Sequence, residues 1–205
     1  MLPGQTAVYD GHEVALFPLD IMNCTQTSGP GQFSHCCGTA TDWVGSYFTY
    51  PYYAPFSCSR IYQSSDTCAY ISDSEVWTPS GLMYMTIGFT HDNNPPAQTH
   101  FNQGELIGHT GTAGFVTGDH VHIVCSRATS WQYIDSGLTC GSGSHCYYVY
   151  GNEPIYKMLY ITGDEAIINL RGMQFEIFDG ADPPVVMYKF KWWFAAKKLR
   201  ERRDN

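Results

Sequence analysis

The sequence predicts an all-β domain, mainly antiparallel, followed by a C-terminal α-helix. Short runs rich in β-formers recur along the chain, and clusters of turn-forming residues separate them. Only the C-terminal stretch shows helical spacing. In chain order, Leu82 to Phe89 alternates and is rich in β-formers, and Val121 to Cys125 and Tyr147 to Tyr150 read the same way. Further strands are expected at Met158 to Thr162, Ala166 to Leu170 and Phe175 to Phe178. Turns are expected at Ser28 to Gly31, Asp92 to Pro96 and Gly141 to Ser144, where Gly, Pro, Asn and Ser gather.

The organisation expected is an N-terminal extension over 1–29, a body over 30–180 and a basic aromatic helix over 181–205. The last boundary falls at Asp179 to Pro184. Beyond it, Phe190, Trp193 and Phe194 share one side of the expected helix, Val185 to Arg203. Lys189, Lys191, Lys197, Lys198, Arg200, Arg202 and Arg203 crowd the rest. Such a helix docks on its own domain or a neighbouring subunit, or lies on an anionic surface; both readings stay open.

Composition removes several classes. With 15% charged residues and 20 Gly in 205, the chain suits neither a coiled coil, a helical bundle nor a disordered acidic segment. No apolar run reaches membrane-spanning length, and the first residues lack the basic start and apolar run of a signal peptide. The net charge is −8, yet the tail from Lys189 carries seven cations against Glu201 and Asp204. The remaining body is therefore strongly acidic and would repel phosphate, so nucleic acid is not an expected partner.

Eight cysteines exceed what a reducing cytosol favours. None forms C-x-x-C, which excludes a zinc ribbon or a thioredoxin-like motif. Cys140 and Cys146 flank Gly-Ser-Gly-Ser-His, a flexible span over which a hairpin-tip disulfide could close, with the connectivity left open. Cys36 and Cys37 are expected in disulfides, with a thiolate on a metal as the alternative.

Chemistry concentrates at His120-x-His122 within a strand-like run. The period of two turns both imidazoles to one sheet face, as a metal site or a ligand-plus-base pair requires. The surrounding segment, Gly104 to Val124, carries glycines at 104, 108, 111, 114 and 118 and Thr117-Gly118 shortly before the His pair. It resembles the lysostaphin-type (LytM-like) zinc endopeptidases that cut peptide bridges of bacterial cell walls. Asp119 stands where many members have Pro. The resemblance implies that His122 is a zinc ligand and His120 catalytic. It further implies a catalytic His ending an upstream strand, matched by His91, and a His followed by Asp for the other two ligands, matched by His35 and Asp42. The spacing of that last pair is His-x6-Asp, whereas the common form is His-x3-Asp. This variant, with Tyr53-Ala54-Pro55-Phe56 after it, looks like the phage-encoded branch, and the likeness covers roughly residues 30–165.

Two imidazoles and a carboxylate leave a fourth position on Zn2+ for water, the arrangement of a catalytic site. His109, Thr110 and Trp43 are expected along the substrate groove. The implied protein is a zinc metalloendopeptidase of peptidoglycan, carried at a virion tail tip and joined to other tail proteins through the C-terminal helix. The alternatives are a non-catalytic tail-tip or knob protein keeping the fold, a wall-binding module, and a free endolysin acting at the host wall.

Overall fold

The computed structural model describes residues 1–162, 173–178 and 185–190. Its centre is an antiparallel sheet whose main path runs His100–Phe101, Cys58–Gln63, Thr67–Ser72, Thr86–Thr90, Val121–Ser126, Thr41–Val44 and Asn23–Gln26. Asn152–Glu153 adds a short pairing to Val121–Ser126. The all-β, antiparallel expectation agrees with this architecture.

One face of the sheet is sealed by large side chains. Trp43, Tyr52, Phe56, Tyr70, Phe89 and Phe101 are all essentially without solvent contact. Aromatic pairs knit them together, Tyr52 stacking on Phe89 and Tyr70 meeting Phe101 edge-on. Residues 1–29, set apart on sequence grounds, contribute Ala15, Phe17, Leu19 and Met22 to the same core and the Asn23–Gln26 strand to the sheet edge. Buried Gln103 fastens this segment: its Oε1 accepts from Ala7 N, and its Nε2 donates to the carbonyls of Val14 and Pro55. Every hydrogen-bonding atom of that amide is thereby used, as burial demands.

The strand expected over Leu82 to Phe89 is two strands, Gly81–Met83 and Thr86–Thr90. Tyr133–Thr139 and His145–Val149 form a two-stranded hairpin of their own. Before Tyr160–Thr162 the chain makes a single 3-10 turn at Ile155–Lys157. The strand expected at Ala166 to Leu170 lies outside the described residues.

The C-terminal helix is corrected. Val185–Phe190 is a strand, paired antiparallel with Met173–Phe178 on one side and Tyr160–Thr162 on the other. The run Val-Val-Met-Tyr-Lys-Phe is dominated by β-branched and aromatic residues that suit a pleated surface. The helical spacing that suggested otherwise depends on Trp193 and Phe194, which lie outside the described residues with the rest of 191–205. Among the described residues, no helix is long and apolar enough to cross a membrane.

The hairpin-tip disulfide is corrected too. Cys140 and Cys146 do not pair with each other; Cys36 bonds Cys140 and Cys37 bonds Cys146. Cys24, Cys58, Cys68 and Cys125 are free thiols, the last three buried.

Candidate metal centre

Three neighbouring strands assemble the site through their register. On Val121–Ser126, His122 lies opposite Asp42 of Thr41–Val44 and, on the other side, opposite Thr90 of Thr86–Thr90. Directly opposed residues share a sheet face, so His122 and Asp42 meet. His91 follows Thr90 immediately, and His120 precedes His122 by two residues, on the same face. His35 arrives from the irregular segment before Thr41–Val44.

The structure thus brings together all five residues proposed from sequence as ligands or catalysts. Oδ1 of Asp42 is the focus, lying 3.1 Å from His122 Nδ1, 3.5 Å from His35 Nε2 and 3.6 Å from His120 Nε2. The His91 and His120 rings are 4.6 Å apart, and those of His35 and His122 are 4.7 Å apart. His35, Asp42 and His91 are buried, each below a tenth exposed. The longer His-x6-Asp spacing has a visible cause, because Cys36 and Cys37 detour to the hairpin before the chain enters the Thr41–Val44 strand.

The donor set fits a tetrahedral divalent cation. His35, Asp42 and His122 each offer one ligand atom within 4.8 Å of the other two. Donors about 2.1 Å from zinc in a tetrahedron stand about 3.4 Å from one another, as geometry and the usual bond lengths require. The observed 3.1 and 3.5 Å bracket that value. At 3.5 and 3.6 Å the His35 and His120 contacts with Asp42 are too long for good hydrogen bonds. The His35 and His122 nitrogens around one carboxylate oxygen at such spacing match ligands facing a common ion, with His120 beside them.

Protonation agrees. Burial pushes the His35 imidazole down to about 4, helped by its neighbour His122, so it is neutral at pH 7 and keeps a lone pair for a metal. Burial also lowers His91 to about 4. For Asp42, burial alone would favour the neutral acid, but the His122 hydrogen bond and the adjacent imidazoles hold it below the ordinary carboxyl range.

The two outer histidines are anchored alike. His91 Nδ1 lies 2.7 Å from the Ala113 carbonyl, and His120 Nδ1 lies 2.9 Å from the Gly118 carbonyl. A carbonyl only accepts, so each Nδ1 carries a proton, and the His91 ring, neutral at pH 7, keeps its Nε2 lone pair. His91 has φ 86°, a left-handed conformation rare for a residue with a Cβ. Close approach explains Gly111, where a Cβ would stand 2.1 Å from the His91 carbonyl oxygen. Asp119 fastens the loop leading to His120, accepting from Thr49 N at 3.0 Å and from the Thr110 hydroxyl.

The three residues expected along the groove take other places. Trp43 has no exposed surface, and its indole donates to Thr41 Oγ1. Thr110 is buried, accepting from Tyr50 N. His109 is half-buried at the end of Leu106–His109, its N–H donating to Asp92 Oδ2. The cleft beside His35 and His122 is walled instead by Trp131, Tyr133, Tyr147 and Tyr148 on and beside the hairpin. Nothing in the sequence flags these four, because the hairpin reaches the site through cysteine pairs 104 and 109 residues apart.

No family model matches the chain. It is 35% identical over 180 residues to Morphogenesis protein 1 of Bacillus phage B103, a match covering 84% of this chain and 46% of that protein. The chain thus spans about half the length of this curated relative. Two solved structures resemble it distantly. A zinc-containing peptidase from Vibrio cholerae is 14% identical with a TM-score of 0.39, over 60% of this chain and 43% of that one. Lysostaphin is 12% identical with a TM-score of 0.41, over 77% of this chain and 63% of that one.

Proposed function

We propose that the protein is a zinc-dependent endopeptidase that cleaves peptide bonds of bacterial peptidoglycan and acts as part of a phage virion. The observation that carries this reading is the convergence of three imidazoles on one buried carboxylate, with a fourth, His91, packed against them. His35, Asp42 and His122 would hold the ion, and His91 and His120 would face the substrate. A catalytic centre of this kind needs an ion with a ligand position to spare and a base beside it, and this set provides both.

When bound, the zinc supplies Lewis acidity, lowering the pKa of water and polarising a scissile carbonyl. The chain's own groups do the rest. His91, neutral at pH 7, accepts the proton of the attacking water at Nε2 while its Nδ1–H stays on the Ala113 carbonyl. His120, held through Nδ1 by the Gly118 carbonyl, faces the developing oxyanion. The aromatic hairpin wall positions an extended peptide along the cleft.

The decisive experiment measures bound zinc and release of peptide ends from purified cell walls, with His122→Ala as the control. Stoichiometric zinc with cleavage abolished in the variant supports the proposal. Stoichiometric zinc without cleavage of any peptidoglycan type would refute it. A second reading, a structural virion part that keeps the fold, is favoured by the relative's name, which speaks of morphogenesis. It predicts particle assembly that survives loss of His120.

A further inference from the structure

Four of the five clustered side chains lie in or directly beside the central sheet: Asp42 and His122 within paired strands, His91 next to Thr90, and His120 next to Val121, where an isolated bridge to Gly111 also holds it. His35 is different. It sits in residues 27–40, where no strand forms. No hydrogen bond orients its ring either, since its buried Nδ1 has no partner among the described residues. Apart from its 3.5 Å approach to Asp42 and its edge contact with His122, the ring is aimed by the backbone beneath it.

That backbone is stitched to the tip of the hairpin. Ser142 N donates to the Phe33 carbonyl at 2.7 Å. Cys36 and Cys37, the two residues after His35, are bonded to Cys140 and Cys146, which flank the tip. The far end of the hairpin is secured on the sheet, where Trp131 lies over Gly88 and the Tyr150 carbonyl accepts from Ser126 Oγ. An isolated two-stranded hairpin is marginal in water. Without its two covalent ties, the tip keeps only weak non-covalent contacts with the segment carrying His35, such as the Ser142–Phe33 hydrogen bond.

We propose that Cys36–Cys140 and Cys37–Cys146 are positioning residues of the metal centre, so that its cation affinity depends on their oxidation. The inference rests on the metal-centre reading above. A low-molecular-weight thiol reductant switches it: for each bridge two thiols yield one external disulfide, and the two cysteines gain two electrons and two protons. Reduction leaves the His35 segment held by single hydrogen bonds, such as those from Gly29 N to the His35 carbonyl and between Gln26 and Ser34, while Asp42, His91, His120 and His122 stay with the sheet. The site then keeps two of its three protein donors. Assembly in a thiol-rich compartment leaves the centre weak, and transfer to an oxidising one completes it.

The test is zinc affinity by competition with a chromophoric chelator, without substrate. It compares oxidised protein, reduced and alkylated protein, and the single-bridge variants Cys36→Ser/Cys140→Ser and Cys37→Ser/Cys146→Ser. Alkylation and serine keep freed thiols from ligating the ion. Loss of groups that orient a metal ligand weakens binding about 10–100-fold, and that range is expected for each single-bridge variant with native near-ultraviolet circular dichroism. Zinc affinity within threefold of the oxidised protein in both folded single-bridge variants would overturn the proposal. Because no wall is present, a protein that binds zinc under this redox control but cleaves nothing would refute only the peptidase reading.

Discussion

The paired bridges make a quantitative prediction about stability. Either disulfide alone ties positions 104 or 109 residues apart, and closing a loop of that size in the unfolded chain is worth about 5 kcal/mol at 25 °C. The second bond meets a different unfolded chain. With Cys36–Cys140 already formed, joining Cys37 to Cys146 closes a ring of only about 7 residues, worth about 2–3 kcal/mol. Removing either bridge by serine substitution should therefore cost about 2–3 kcal/mol, and removing both about 7 kcal/mol. The shortfall of the two single costs against the double is the signature. Urea unfolding of the three variants and the parent, without reductant, measures it. Single costs that add up to the double cost would refute the nested-loop reasoning.

Acidification should destabilise the metal-free protein. His35 and His91 are held near 4 in the fold but titrate near 6.5 when unfolded, so the unfolded chain binds more protons between those values. Stability is full above about pH 6.5 and falls as pH drops towards 4, by a few kcal/mol over the window; thermal melts in chelator should show the decline, and His91→Gln should flatten it. His120→Ala should end turnover yet leave zinc bound, whereas His122→Ala should lose the metal; zinc analysis and peptide release on both variants check this, and loss of zinc from His120→Ala would mean the two roles are exchanged. Gly111→Ala should cost about 1–3 kcal/mol, because its Cβ collides with the His91 carbonyl, and activity should fall with it. An unchanged melting temperature would show that the loop yields freely.

The parts of the site that were legible in the sequence rest on the period of a strand and on the family resemblance of the Gly-rich segment. His120-x-His122 could be assigned to one face because a strand's period is two, while His91 was singled out because the resemblance calls for a histidine ending an upstream strand. Asp42 was harder, since a spacing of six says nothing about where a detour leads. The cleft wall was invisible: Tyr147 and Tyr148 reach the site only through cysteine pairings that no spacing specifies. Trp43 was misplaced because a strand beside a ligand has two faces, and the one opposite Asp42 looks into the core. The C-terminal helix failed because a short apolar run fits either period, and Val185–Phe190 finds partner strands on both sides.

The opposition of His122 and Asp42 also bears on how the molecule polices its own folding. A slip of one residue between Thr41–Val44 and Val121–Ser126 would turn His122 to the far side of the sheet and leave the carboxylate facing an aliphatic neighbour. Such a misaligned molecule would resemble the native one in secondary structure yet fail to retain a cation. The proportion of refolded protein that stays metal-free therefore counts strand-pairing errors, and immobilised chelate exchange would sort faithful copies from faulty ones.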